Sequence, residues 1–197
     1  LGLYALELQG MLKRLHAVLD DLSPIETELL KEQRTELQNV LKAGFTTYNW
    51  TSQRIPAFAD LCKHAITTFE AKLDAVHSHS QSIEQVLEHI AKTKLVTLED
   101  LAEVRRPMTM MSFVDFVEGK KRARLAELQS EYATLTPLLI KVEEEVASTN
   151  SGSSPLLKEY YEYWEGRVYN AVVEMVVSNL ANLRLLLTKS DGPSSIN

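Results

Sequence analysis

Apolar side chains recur every three or four residues through one stretch of the chain, and this spacing limits what the chain can fold into. The interval alternates 3, 4, 3, 4, 3, 4 across Leu125, Leu128, Tyr132, Leu135, Leu139, Val142 and Val146. Such an a/d heptad seam is typical of a long helix that packs against neighbouring helices in a left-handed coiled-coil manner. We predict a helix of roughly 50 Å, at 1.5 Å per residue. We expect Ser112 to cap it and a bend about one turn before Pro137.

The sequence before this stretch also reads as helices, separated by recognisable start and stop signals. A first helix is predicted up to about Asp20. Residues 23–26 (Ser-Pro-Ile-Glu) form a capping box that starts a second helix, and Gly44 suits its C-terminal cap. Pro56 opens a third stretch, either one long helix with a polar middle around His77 or two helices meeting there. A short helix starting at 97–100 is expected to end before Pro107.

A last helix, restarting at Ser154-Pro155, carries two apolar stripes. One comprises Leu157, Tyr161, Trp164, Val168, Ala171 and Met175. The other comprises Val172, Val176, Leu180, Leu183 and Leu187. Two stripes on one helix predict that it is buried over a wide face.

The expected fold is therefore all-α, with six or seven helices and no sheet. We predict elongated helical bundles in series, with long antiparallel helices. The division we expect is a first helical bundle over 1–107, a long helical hairpin over 108–189 and a frayed end over 190–197.

Charge and cysteine content exclude several kinds of partner. The formal net charge of −6 gives no general attraction for nucleic acid or an anionic membrane, so we predict neither as a partner. Cys62 is the only cysteine, which rules out an internal disulfide and indicates a reducing compartment. No apolar run approaches the ~18 residues of a membrane span. Because Leu1 is not an initiator methionine, we expect a fragment of a longer chain.

Motif searches find no pattern that indicates catalysis. Gly119-Lys120 lacks the hydroxyl residue and the upstream glycine of a phosphate loop. His77 and His79 would point about 200° apart on a helix and could not share a metal there. Cys62 lies in an apolar stripe, as a small core residue would. We therefore predict no catalytic residue, no cofactor and no metal site, and the segment is not expected to be an enzyme.

An aromatic cluster opens the last helix and allows two interpretations. It can pack the bundle alone, or part of it can also grip a partner, as exposed aromatic residues often do. The candidate partner contacts are Tyr160, Tyr163, Trp164 and Tyr169. The candidates for structural roles in the connections are Trp50, Asn150, Gly152 and Pro155.

Three ordered motifs give the chain a family resemblance. They are Ala-Gly-Phe-Thr-Thr-Tyr-Asn-Trp-Thr-Ser at 43–52, Leu-Leu-Ile-Lys-Val-Glu at 138–143 leading into Thr-Asn-Ser-Gly-Ser-Ser-Pro at 149–155, and Tyr-Tyr-Glu-Tyr-Trp-Glu at 160–165 with Met175 and Asn179-Leu180 after it. Across roughly 35–187 they resemble the N-terminal tail of axonemal dynein heavy chains, with the outer-arm type favoured. Departures at Tyr48, Ser151 and Ser153 bear on the subtype.

The resemblance implies a non-catalytic tail segment of a ciliary or flagellar microtubule motor. Its expected work is motor assembly, subunit binding and anchoring to the doublet microtubule, while the ATPase ring lies elsewhere in the parent chain. The implied partners are other dynein heavy chains, WD-repeat intermediate chains, light chains and axonemal docking factors, in the cytoplasm and the axoneme. Two alternatives remain: a spectrin-like scaffold or tether, which would show a repeat near 100 residues, and a helical enzyme, which would need a polar constellation in its core.

Overall fold

The computed structural model describes residues 2–47, 54–102, 109–147 and 155–190. Within these ranges every regular element is an α-helix, so the predicted all-α class is confirmed. The helices are α1 (Gly2–Asp20), α2 (Pro24–Leu29), α3 (Lys31–Thr47), α4 (Ile55–Lys92), α5 (Leu98–Ala102), α6 (Met110–Ala133), α7 (Leu135–Ala147) and α8 (Pro155–Ser190).

The predicted capping box at the start of α2 is present. The backbone N–H of Glu26 donates to the Ser23 hydroxyl at 3.4 Å, and the Ser23 N–H donates to the Glu26 carboxylate at 2.8 Å. The helical path is then interrupted at Leu30, which separates α2 from α3. The predicted stop at Gly44 is wrong, because α3 continues to Thr47. Glycine permits a left-handed cap without imposing one, and no described glycine has positive φ.

Helix α4 is continuous from Ile55 to Lys92, so the reading of one long helix with a polar middle is correct. The polar side chains in its middle form specific hydrogen bonds, and the helix does not break there. Ser80 pairs with the Tyr160 hydroxyl, and the His77 ring lies 3.2 Å from the Glu26 carboxylate. The short α5 follows at Leu98–Ala102, and its expected end before Pro107 falls outside the described residues.

The break between α6 and α7 occurs at Thr134, three residues before Pro137. Proline lacks the N–H that would reach the carbonyl four residues earlier, so the predicted interruption is confirmed at the place this mechanism requires. The expected cap at Ser112 is wrong. Thr109 caps α6 instead, since its hydroxyl accepts from the Ser112 N–H at 3.2 Å.

The predicted heptad seam is buried only in part. Leu128, Leu135, Val142 and Val146 are buried, Leu139 is half-buried, and Leu125 and Tyr132 are exposed. The break at Thr134 divides the seam between two helices, so it cannot run as one line of contact. In α7, which starts at Leu135, the seam residues are buried or half-buried. In α6 Leu128 alone among the seam residues is buried.

The chain forms two compact units that are not consecutive in sequence. Unit 1 comprises Leu1–Gln81 with Leu139–Tyr163, and unit 2 comprises Ser82–Leu138 with Trp164–Asn197. Buried apolar residues of unit 1 include Leu29, Ile66, Leu73, Val76, Val142 and Tyr160. Those of unit 2 include Ile83, Leu87, Ile90, Leu128, Trp164 and Met175. The sequential division into 1–107 and 108–189 stays a prediction, and 191–197 of the expected frayed end lie outside the described residues.

Candidate interaction surface

Tyr160 lies in the core of unit 1. Its side chain is fully buried, and its hydroxyl is 2.9 Å from the hydroxyl of Ser80, which is also buried. The two hydroxyls satisfy each other in a site closed to water, and the pair fixes the first turns of α8 against the middle of α4. Tyr160, a candidate partner contact, therefore serves packing in this structure.

Tyr161 and Tyr163 lie on other sides of the same helix, because successive positions turn by about 100°. Tyr161 is half-buried and donates its hydroxyl to the Glu143 carboxylate at 2.7 Å. Two effects raise the pKa of Tyr161 to about 12: burial is the larger, and the hydrogen bond to the Glu143 carboxylate with its charge is the next. Tyr163 is exposed and is thus placed where a partner could reach it.

In unit 2, Trp164 and Tyr169 also differ in their exposure to solvent. Trp164 is buried, whereas Tyr169 is 69% exposed. Two of the four candidate contacts, Tyr163 and Tyr169, therefore lie at the surface. Of the candidates for structural roles, Pro155 begins α8, while these three lie outside the described residues: Trp50, Asn150 and Gly152.

Asn179 and Asn182 of α8 form hydrogen bonds with the loop that follows α4. The sequence did not predict these contacts. The Asn179 amide donates to the carbonyl of Thr93 at 2.8 Å and to a carbonyl of its own helix at 2.8 Å. Its side-chain oxygen accepts from the N–H of Leu95 at 2.7 Å. Asn182 adds a bond to the carbonyl of Val96 at 2.8 Å. These contacts satisfy backbone groups of the loop, which lies outside the helices and so has no helical hydrogen bonds for them.

A buried carboxylate, Asp100, organises α5 and α6. It accepts from the backbone N–H of Thr97 at 2.8 Å and lies 2.9 Å from the Arg124 guanidinium and 3.4 Å from the Lys120 ammonium. Burial alone would raise the pKa of Asp100, but the hydrogen bonds from Thr97 and the charge of Arg124 outweigh it and hold the pKa below its ordinary value. Two of the four basic residues over 120–124 are thus directed inward.

The described residues include an open groove, of about 340 Å³, between α4 and α8 in unit 2. Five charged residues line it, and four of them pair with one another: Arg167 with Glu84, and Lys92 with Glu88 at 2.5 Å. Across the described ranges no three His, Cys, Asp or Glu side chains are grouped so that they could hold a metal ion. The charges that line the groove are thus mostly paired with one another.

The other face of α8 in unit 2 is apolar and exposed. Its line runs at heptad intervals of 4, 3, 4 and 3 through Tyr169, Val173, Val176, Leu180 and Leu183, with Val172 and Val177 beside it. These seven side chains are called the outer stripe below. On a helix they lie about opposite the buried Ala171 and Met175.

The outer stripe corrects the expectation that both stripes of α8 are buried. The predicted members Val172, Val176, Leu180 and Leu183 are exposed, and Leu187 is beyond the described side chains. Periodicity shows which sides of a helix are apolar, but not whether a neighbour covers them. No helix among the described residues is both long and apolar enough to cross a membrane.

Comparison with known proteins identifies the family. The family described as "Dynein heavy chain, N-terminal region 1" matches residues 1–58. The chain is 40% identical over 178 residues, 90% of its length, to the Dynein-1-alpha heavy chain of the flagellar inner arm I1 complex of Chlamydomonas reinhardtii. It is 29% identical over 184 residues, 93% of its length, to Dynein axonemal heavy chain 10 of Homo sapiens. The chain belongs to the dynein heavy chain family.

The relatives also define which part of a dynein heavy chain this is. The chain spans 4% of the length of each of them and corresponds to their N-terminal tail region. It is thus a tail segment of an axonemal dynein heavy chain, and the matched region excludes the ATPase motor domain. The expected outer-arm type is not supported, since the relative at 40% identity is an inner-arm heavy chain.

Proposed function

We propose that this tail segment serves assembly of an axonemal dynein motor, by binding other subunits and by anchoring the motor to the doublet microtubule. The observation that carries the proposal is the exposed apolar surface of α8 on a chain of this family. Monomeric soluble proteins rarely leave a large continuous apolar patch in water, and such patches mark protein interaction sites. ATP hydrolysis and movement along the microtubule belong, in this proposal, to other parts of the heavy chain.

The proposed partners are WD-repeat intermediate chains, light chains, other dynein heavy chains and axonemal docking factors. The proposed place of action is the axoneme of a cilium or flagellum, after synthesis in the cytoplasm. Both relatives named above are axonemal or flagellar heavy chains, which supports that location. The identity to an inner-arm I1 chain supports the inner arm as the site of assembly.

Tyr163 and Tyr169 are the proposed aromatic contacts, because they combine exposure with the large, partly polar surface that interface hot spots favour. A tagged heavy chain carrying Tyr163→Ala or Tyr169→Ala should pull down less intermediate chain than the unaltered chain, by at least fivefold for a contact worth about 1 kcal/mol. Glu144→Ala, which removes an exposed polar side chain of α7, is the matched control.

The pull-down is interpreted only for variants whose helical circular dichroism equals that of the parent. If both tyrosine variants recover as much intermediate chain as the Glu144→Ala control, the aromatic contacts are excluded. If the unaltered heavy chain recovers neither intermediate chains nor light chains, the assembly role itself is refuted.

A further inference from the structure

Thr109 carries an exposed hydroxyl immediately before α6, outside the helix. Its backbone is extended, with φ −68° and ψ 154°, and its hydroxyl lies 2.8 Å from that of Ser112, which is also exposed. A modifying enzyme reaches a side chain on exposed, extended backbone more readily than one inside a helical turn or a core. The hydroxyl of Thr109 is thus placed where it can accept a phosphoryl group.

The sequence before Thr109 is basic. Arg106 lies three residues before it and Arg105 four, and no other Ser or Thr of the chain has an arginine at the third position before it. Both arginines lie outside the described residues, and a kinase reads them by their order in the sequence. Kinases that select basic substrates bind such a guanidinium with carboxylates, a pairing that forms two parallel hydrogen bonds. The chain therefore presents one acceptor with the charge pattern of an arginine-directed kinase.

Thr97 is the nearest competitor, because a lysine, Lys94, lies three residues before it. Its hydroxyl is already engaged, since it donates to the buried Asp100 carboxylate at 2.9 Å. Lys94 is engaged as well and donates to the Ser178 hydroxyl. A phosphate at Thr97 would lie against the Asp100 carboxylate, where two like charges repel each other strongly. The structure therefore disfavours Thr97 as an acceptor and favours Thr109.

The start of α6 suits a phosphate. The first hydrogen bond of that helix runs from the Phe113 N–H to the Thr109 carbonyl at 3.0 Å, so the N–H groups of 110–112 have no helical partner. Of these, the Ser112 N–H donates to the Thr109 hydroxyl at 3.2 Å. The first turn of α6 contains no acidic residue. A phosphate carries about −1.5 to −2 charges at neutral pH, and the positive end of a helix stabilises negative charge.

We propose that Thr109 is a phosphorylation site of an arginine-directed Ser/Thr kinase, and that its phosphate stabilises the first turn of α6. In the transfer, Thr109 Oγ1 forms a bond to the γ-phosphorus of ATP, and the bond from that phosphorus to the β,γ-bridging oxygen breaks. ADP leaves with the electron pair, and the hydroxyl proton passes to the catalytic carboxylate of the kinase. The site is separate from the exposed surface of α8 and goes beyond the proposed assembly role.

Phosphorylation of the assembled dynein tests the proposal. Dynein with its full-length heavy chain is incubated with Mg·ATP and a calcium/calmodulin-dependent protein kinase that selects arginine three residues before the acceptor. Mass spectrometry of digested peptides then gives the phosphate occupancy of each Ser and Thr. We expect an occupancy at Thr109 at least tenfold above that at Thr97. Arg106→Ala should slow phosphorylation of Thr109 at least tenfold, since it removes a charge-assisted pair, whereas Arg122→Ala, at an exposed arginine within α6, should leave the rate unchanged.

Two results would overturn the site: an occupancy at Thr109 no higher than that at Thr97, or equal rates for the Arg106 and Arg122 variants. Thr109→Asn guards against a disturbed helix, because asparagine caps a helix at least as well as threonine but has no hydroxyl to modify. Hydrogen exchange at the Phe113 amide tests the effect of the phosphate. Exchange should slow by about two- to fivefold after kinase treatment of the unaltered chain and stay unchanged in Thr109→Asn. Unchanged or faster exchange in the phosphorylated chain would refute the stabilisation of α6.

Discussion

Replacing Asn179 by alanine should weaken the attachment of the loop after α4 to α8. The variant loses the amide bond to the Thr93 carbonyl and the acceptor for the Leu95 N–H, at 2.8 and 2.7 Å. Each such bond contributes about 0.5–1.5 kcal/mol, and a part-buried N–H left without a partner costs about 1–3 kcal/mol more. We expect the free energy of unfolding to fall by about 2–3 kcal/mol relative to a matched control.

The control is Asn170→Ala, at an exposed asparagine earlier in the same helix. Both substitutions gain the same helix propensity, about 0.5 kcal/mol or somewhat more, so the difference between them isolates the contacts that Asn179 makes with the loop. Urea unfolding followed by circular dichroism gives the two free energies of unfolding. Hydrogen exchange at the amide of Leu95 gives a local readout and should accelerate only in the Asn179 variant.

Equal unfolding free energies for the two variants, within about 0.5 kcal/mol, would refute the reasoning. So would unchanged exchange at the Leu95 amide, because the bond to the Asn179 oxygen is what protects it. Asn179→Asp extends the test. It keeps an acceptor for Leu95 but loses the donor to Thr93 and sets a carboxylate oxygen against that carbonyl. It should therefore be less stable than Asn170→Asp, which makes the same chemical change at the exposed position.

Three other substitutions each test one local feature of the structure. Tyr160→Phe leaves the buried Ser80 hydroxyl without its partner and should cost about 1–2 kcal/mol in urea unfolding, whereas Tyr169→Phe, at a tyrosine that is 69% exposed, should change stability by less than about 0.5 kcal/mol. Because the pKa of Asp100 is lowered by folding, its stabilising contribution is present above its ordinary pKa and is lost as the pH falls through the folded value; Asp100→Asn should flatten this acid limb of a stability–pH curve, and an unchanged limb would contradict the prediction. Gly166→Ala adds a methyl group that meets no atom within 4 Å and should raise stability by about 0.5–1 kcal/mol, seen as a higher urea midpoint; a lower midpoint would contradict the open surroundings.

Local signals in the sequence were sufficient where one mechanism acts alone. The capping box at Ser23 and the interruption before Pro137 depend on groups within one turn of the chain, and both are found where they were predicted. The predictions of a helix end at Gly44 and a cap at Ser112 were wrong because each residue permits a helix end without requiring one. At the second, Thr109 offers the same hydroxyl chemistry one turn earlier and accepts the Ser112 N–H.

Tertiary arrangement decided what periodicity left open. The spacing showed that α8 is apolar on two sides, but it could not show that, among the described residues, the side with Trp164 and Met175 is buried while the outer stripe is exposed. For the same reason, the spacing could not show that Tyr160 is buried while Tyr169, another candidate contact, is exposed. The Asn179 contacts carried one faint signal, a poor helix former inside an apolar helix, and such a residue often bonds to backbone groups of another segment.

The central claim is that this segment assembles the motor through the exposed surface of α8 and takes no part in its chemistry. The most direct measurement uses two full-length heavy chains: a stripe variant that carries both Val176→Glu and Leu180→Glu, and a control that carries Ala181→Glu. Quantitative mass spectrometry of isolated axonemes compares their abundance. The account predicts that the stripe variant is depleted from axonemes at least fivefold while the ATPase activity of its purified motor is unchanged and the control is retained. Normal axonemal abundance of a folded stripe variant, or a loss of ATPase activity in parallel with it, would contradict the account.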